Sequence, residues 1–190
     1  MNLLTGILSA FGLSASAGLN AYIPLLTVAL LARFTDLIQL SDPWNTLEDW
    51  WVISTLVALL FIEFFVDKVP AINHINDAIQ TFVRPTAGAI AFAASAGVVT
   101  DASPVLSLIL GLVVAGGVHA TKSLAVRPAV TATTGGAGNI PVSILEDVIA
   151  TIMSILAIII PILFAAITVV ITAWFVWWLW RRVKRASVTT

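Results

Sequence analysis

Long stretches of this chain carry no charged side chain, among them residues 1–32, 85–100 and 148–180, the last of these 33 residues long. The hydrocarbon core of a bilayer is about 30 Å thick, and a helix crosses it with about 20 apolar residues. Runs of this kind therefore read as membrane spans. Composition agrees, because 59% of the chain is apolar against roughly 45–50% for soluble domains. The expected fold is all-α, a polytopic helical membrane protein. A net charge of −1, with no basic run before the last ten residues, argues against nucleic acid as a partner. The absence of cysteine excludes disulfides, thiol chemistry and Cys-ligated metal. Residues 3–17 followed by Gly18 imitate a secretory signal, but no Lys or Arg precedes them and the apolar run continues to Leu31. An uncleaved span is expected there.

The first run is too long for one straight helix, since residues 3–32 would reach about 45 Å. Its middle, SASAGLN at 14–20 followed by Pro24, is the expected kink or break. An acidic loop follows with Asp36, Asp42, Glu48 and Asp49, and Trp44, Trp50 and Trp51 beside it suit a membrane–water interface. Thr46 and Asp49 have the spacing of a loose capping box that opens a second span at 50–66, which Pro70 stops. Residues 71–83 place Ile72, Ile75, Ile79 and Phe82 on one helical face among Asn73, His74, Asn76, Asp77 and Gln80, the pattern of an interfacial amphipathic helix. Pro85 is expected to open a third, 16-residue span, in which Ala89, Ala93 and Gly97 form a small-residue stripe suited to close helix approach or a homo-oligomer contact. Ser103 as N-cap and Pro104 at the first helical position begin a fourth span to about His119. The glycine-rich stretch at 131–139 is read as non-helical, either a re-entrant loop lining a polar cavity or a plain loop.

Residues 144–180 would make a helix of about 55 Å, so two spans turning at Pro161 are expected, six in all. With six spans and an inside N-terminus, Lys68, Arg84, Lys122, Arg127, Arg181, Arg182, Lys184 and Arg185 fall on the cytoplasmic side, and Arg33 alone falls outside. Cytoplasmic loops are rich in Lys and Arg, so both termini are expected to be cytoplasmic. GLSASAGLNA at 12–21 aligns with GLVVAGGVHA at 111–120, four of ten positions identical at an offset of 99. In a six-span chain these segments cross in opposite senses, the pattern of a 3+3 inverted-topology repeat with broken helices. The whole chain, 1–190, is then one membrane domain with halves at 1–100 and 101–180 and a basic cytoplasmic tail at 181–190. Trp174, Trp177, Trp178 and Trp180 ahead of that tail read as an interfacial anchor.

Several motifs occur together: AGLNAYIPLL at 17–26, IEFFVDKVP at 62–70, TFVRPTAG at 81–88, HATK at 119–122, RP at 127–128, TTGG at 133–136 and ED at 146–147. In combination, over roughly residues 5–165, the chain resembles a widespread bacterial integral-membrane family known only as a domain of unknown function. The resemblance implies a multi-pass protein of the bacterial cytoplasmic membrane and no established activity. Two departures are visible. Asn73 stands where relatives usually carry an acid, and Asn139-Ile-Pro141 is shifted from a more usual Asn-Pro.

Glu63 and Asp67 are one helical turn apart on a single face. A carboxylate at membrane depth rarely faces lipid, so Glu63 leads as a cation or proton site, with a buried pair to Lys68, Arg84 or Lys122 as its structural alternative. Asp67 ranks below it, nearer the interface. His119 and Lys122 share a face, and Asn20 occupies the repeat position matching His119. Breaks at both positions, near mid-membrane, point to a translocation site. Glu146 reads first as the far end of a Ser143–Glu146 capping box, and Asp147 as a favourable charge at a helix N-terminus. Arg84 and Arg127, each followed by proline, suit anionic solute, lipid headgroups or simple anchoring. There is no nucleophile–base motif, no His-x-x-x-His spacing and no P-loop, so neither an enzyme nor a bound cofactor is expected, and no metal is assigned. Three functions compete. The first is a small transporter or channel for an ion or small polar solute, the second a lipid-headgroup binder or flippase, and the third a non-transporting scaffold. Acids at mid-depth favour the first, basic residues at headgroup depth the second, and the absence of a polar cavity the third.

Overall fold

The computed structural model describes residues 3–67, 73–96 and 103–186. Among them the chain is all-α: α1 (Leu3–Leu19), α2 (Tyr22–Phe34), a short 3-10 turn at Trp44–Glu48, α3 (Trp50–Val66), α4 (Asn73–Ser95), α5 (Pro104–Thr121), a π-helical stretch at Lys122–Val126, α6 (Arg127–Thr134) and α7 (Asn139–Ala186). Two continuous helical stretches, Pro104–Thr134 and Asn139–Pro161, are long and apolar enough to cross a membrane, and Thr5–Leu19, Tyr22–Phe34 and Trp50–Val66 are shorter apolar helices.

Local chemistry explains the boundaries. The break between α1 and α2 falls where it is expected, at Asn20, whose Oδ1 accepts the amides of Tyr22 and Ile23 at 3.0 and 3.2 Å and so caps α2. Ser103 caps α5 by accepting from the Leu106 amide, with Pro104 in the first turn. Gly135 ends α6 with φ +61, and Gly136 follows at φ +91, left-handed backbone that glycine adopts without penalty.

Several expectations fail here. Pro85 lies inside α4 and opens no new helix, so no separate amphipathic helix ends at residue 83. The Thr86 hydroxyl donates to the Phe82 carbonyl at 2.8 Å beside it. Pro161 likewise lies inside a 48-residue α7, with no reversal, because a proline flanked by isoleucines offers no polar groups to form a turn. Residues 131–134 continue α6 and are not loop. Neither capping box forms: Thr46 Oγ1 donates to the Pro43 carbonyl and Asp49 makes no side-chain cap bond, while Ser143 lies within α7, one turn past its start.

α1 sits at the centre, packed against α4, α5 and α7, and α4 and α5 form the most extensive pair. Close approach rests on small residues. A Cβ on Gly88 would collide with Ala115, and one on Gly111 with the Gly88 carbonyl and Phe92. Ala89 and Ala93 are buried within the chain, so of the two uses expected of this stripe these two positions show close internal packing; Gly97 lies outside the described residues. Ser14 Oγ donates to the Gly111 carbonyl at 2.7 Å, and Ser16 Oγ to the Ala150 carbonyl at 2.8 Å.

These contacts fix helix directions. Ser14 meets Gly111, Gly18 faces Ala115 and Val118, and Lys122 reaches the Leu19 carbonyl, so α1 and α5 run parallel. Gly12 faces Ala157, Ser16 meets Ala150 and Ser154, and Asn20 meets Asp147, so α7 is antiparallel to both. The two matched ten-residue segments therefore pack side by side in one sense, whereas an inverted repeat requires opposite senses. Arg84, Lys122 and Arg127 gather at the α1 end away from residue 3, while α7 runs back toward residue 3. The eight-to-one charge count does not survive this arrangement, because those three residues lie at the opposite end from Arg181. Lys68 lies outside the described residues.

Candidate functional site

Where α1 and α3 end and α7 begins, six charged side chains meet in the interior. Glu63 comes from α3 and Asp67 caps its C-terminal end, Arg84 comes from α4, Lys122 opens the π-helical stretch, Arg127 follows it as the first residue of α6, and Glu146 comes from α7. All six are buried. Arg84 Nη2 lies 2.9 Å from Glu63 Oε1 and 3.8 Å from Asp67 Oδ2. Arg127 Nη2 lies 3.4 Å from Asp67 Oδ2 and 3.0 Å from Glu146 Oε2, which also takes Lys122 Nζ at 2.8 Å. Three acids and three bases balance, and this balance is what makes their removal from water tolerable.

The π stretch explains how one carboxylate holds two cations. In an α-helix, residues five apart point about 140° away from each other. Here the Arg127 amide bonds back to the Lys122 carbonyl, five residues earlier, which widens the turn and brings both side chains to Glu146. Such single-turn π segments are frequent at functional sites.

Neutral groups complete the network. Asp67 Oδ1 accepts from Asn76 Nδ2 at 2.5 Å and Oδ2 from Ser143 Oγ at 3.2 Å. His119 is held between Arg84 Nη1, 3.3 Å from its Nδ1, and Thr81 Oγ1, 3.2 Å from its Nε2. Arginine only donates, so Nδ1 is the acceptor in the contact with Arg84. Lys122 Nζ also donates to the Leu19 carbonyl at 3.2 Å, placing a cation at the C-terminal end of α1, where the helix dipole favours one. Asn20 Nδ2 donates to Asp147 Oδ1 at 2.9 Å, on the side of α7 that faces Ile23, Leu60 and Phe64 across a cavity of about 270 Å³.

Of the polar residues singled out from the sequence, Glu63, Asp67, Arg84, His119, Lys122, Arg127 and Glu146 share this network, and Asn20 and Asp147 pair beside it. Glu63 takes its structural alternative, the pair with Arg84. Asp67 is buried like Glu63. Glu146 is an ion-pair hub and caps nothing. Asn20 marks a true break. His119 does not, because α5 continues past it to Thr121. Asn76, Thr81 and Ser143 are partners that sequence reasoning passed over. Their signal was periodicity: Asn76, Gln80 and Arg84 fall four apart, and Ser143, Glu146, Ala150 and Ser154 mark one small or polar face through an otherwise apolar run. Among the described residues, no group of three His, Asp or Glu side chains is placed to hold a metal ion.

Beside the network, α1, the α5–π segment and α7 enclose a groove of about 690 Å³. Its walls include Leu19, Val113, Val118, Val142, Leu145 and Ile149, and the Lys122–Glu146 pair forms its polar end. Gly117 lies on its wall, and a Cβ added there meets nothing within 4 Å.

The family model described as a domain of unknown function, DUF4126, matches residues 7–182. The chain belongs to this family. No curated protein and no solved structure matches it. The resemblance read from the motifs is therefore correct, and the family description adds no activity to the geometry.

Proposed function

We propose that this DUF4126 chain is a multi-pass membrane protein that binds a lipid-like amphiphile, its tail in the groove between α1, α5 and α7 and its polar head at the Lys122–Glu146 pair. The groove carries this reading, because it combines a long apolar wall with one buried ion pair at a single end. Ligand pockets are commonly about 300–1,000 Å³, mostly apolar, with a few polar groups that fix orientation. Membrane location is supported by the outward faces of α5 and α7, where Ile109, Leu112, Ile152 and Ile160 are all exposed. A contiguous apolar surface of this extent suits lipid better than water.

The test uses purified protein in lipid nanodiscs containing a phospholipid with a photoactivatable group on its acyl chain. Crosslinks are expected on the groove walls, at Val118, Val142 and Ile149, and Gly117→Phe should abolish them by filling the open wall. Crosslinks spread evenly over the exposed apolar surface, and unchanged in Gly117→Phe, would defeat the proposal.

One set of observations favours a second reading, a transporter for an ion or small polar solute. The α1–α2 break brings a helix C-terminus, a helix N-terminus and the Asn20–Asp147 bond to one point, as in transporters whose broken helices expose backbone groups. Among the described residues, Glu63 Oε2 has no hydrogen-bond partner. Under this reading, Glu63→Gln removes the flux that the parent chain shows in proteoliposomes. Equal flux in both forms would discard it.

A further inference from the structure

We infer that the head recognised at the groove is zwitterionic, with a phosphate and a primary ammonium, as in a phosphoethanolamine lipid. The inference rests on the amphiphile reading and comes from counting the bonds each polar group still has to offer. An ammonium carries three N–H donors. Two of those on Lys122 are engaged, one by Glu146 Oε2 at 2.8 Å and one by the Leu19 carbonyl at 3.2 Å. The third has no partner among the described residues, although the side chain is only 4% exposed. Glu146 Oε2 receives both Lys122 and Arg127, while Oε1 takes no hydrogen bond from a described residue. Both residues line the groove. Its polar end therefore offers one charged donor and one charged acceptor side by side.

A phosphate oxygen meets the first, and an ammonium N–H the second. Net charge decides among other heads. The six network residues already balance, three acids against three bases, so a head of net charge would leave a buried excess. A choline head is neutral overall but has no N–H for Glu146. A glycerol head has donors but is a net anion, as is a fatty-acid carboxylate. A head with phosphate and primary ammonium satisfies both bonds and the balance.

Protein in nanodiscs made from equal parts of phosphatidylethanolamine, phosphatidylcholine and phosphatidylglycerol, all with the same acyl chains, is released into a mass spectrometer and its retained lipid identified. Retention of the ethanolamine lipid over each competitor by about tenfold is expected, the scale of one hydrogen bond to a charged group. Glu146→Gln should reduce the ethanolamine-over-choline preference toward parity. Should that variant fail to fold, the headgroup competition on the parent chain still decides. Equal retention of the choline lipid overturns the donor argument, and preference for the glycerol lipid overturns the neutrality argument. Acyl-chain crosslinking in the groove without headgroup preference overturns this inference while leaving the amphiphile reading in place. Loss of both removes the two together.

Discussion

The arginine at position 84 shows how closely each charge here depends on its neighbours. Its guanidinium is 1% exposed and serves Glu63, His119 and Asp67 at once. Removing one partner of a buried ion pair costs about 3–5 kcal/mol, because the other charge stays buried without compensation. Arg84→Ala should therefore lower stability by about that amount, and combining it with Glu63→Gln should recover a large part of the loss. Thermal unfolding of the parent, both single variants and the double variant in one detergent gives the coupling directly. Additive effects within about 0.5 kcal/mol would mean that the pair contributes nothing as a pair.

Among the elements, α7 departs furthest from its sequence reading. Proline in mid-helix removes one backbone bond and crowds the preceding turn, and a run too long for one span made a reversal at Pro161 the natural expectation. Yet nothing around Pro161 would stabilise a turn: Ile158, Ile159, Ile160 and Ile162 flank it, and no glycine or polar side chain is near. A continuous helix satisfies all but one backbone group. Spin labels at the exposed positions Val148 and Trp174 report on this. At 1.5 Å per residue, the 26 steps between them span about 39 Å in one helix. A distance near that value is expected in reconstituted protein. A distance below about 20 Å would restore the helical hairpin, since neighbouring helices pack about 8–10 Å apart.

At the scale of the molecule, α1 and α7 are antiparallel, so residue 3 and the C-terminal part of α7 point to the same side. Arg84, Lys122 and Arg127 are buried in ion pairs and are not the loop charges that orient a membrane protein. The charges left to do so are chiefly Arg181, Arg182, Lys184 and Arg185, just beyond the apolar part of α7. On the positive-inside rule they belong in the cytoplasm, and antiparallel packing takes the N-terminus with them. Reporter fusions at each terminus should both be active as cytoplasmic reporters. A periplasmic signal from one terminus alone would contradict the packing direction, and a periplasmic signal from both would contradict the charge argument.

The sequence by itself determined the helical class, the break at Asn20 and the cap at Ser103, and it singled out the polar residues that the fold buries or pairs. Each of these follows from local chemistry, whether apolar run length, cap residues or the high cost of burying a charge without a partner. Asn20, Glu63, Asp67, Arg84, His119, Lys122, Arg127, Glu146 and Asp147 were all readable because ionisable and amide groups stand out in an apolar chain. What they do to one another was decided by tertiary structure. Glu63 pairs with Arg84 from another helix, and Glu146 lies inside α7 instead of capping it. Lys122 and Arg127 converge only because a π turn changes their relative direction. The parallel course of α1 and α5 was equally hidden, since small residues at four-residue spacing permit close packing in either sense. Helix direction and pairing depend on contacts between residues about 100 positions apart, such as Ser14 with Gly111, and no local pattern encodes them.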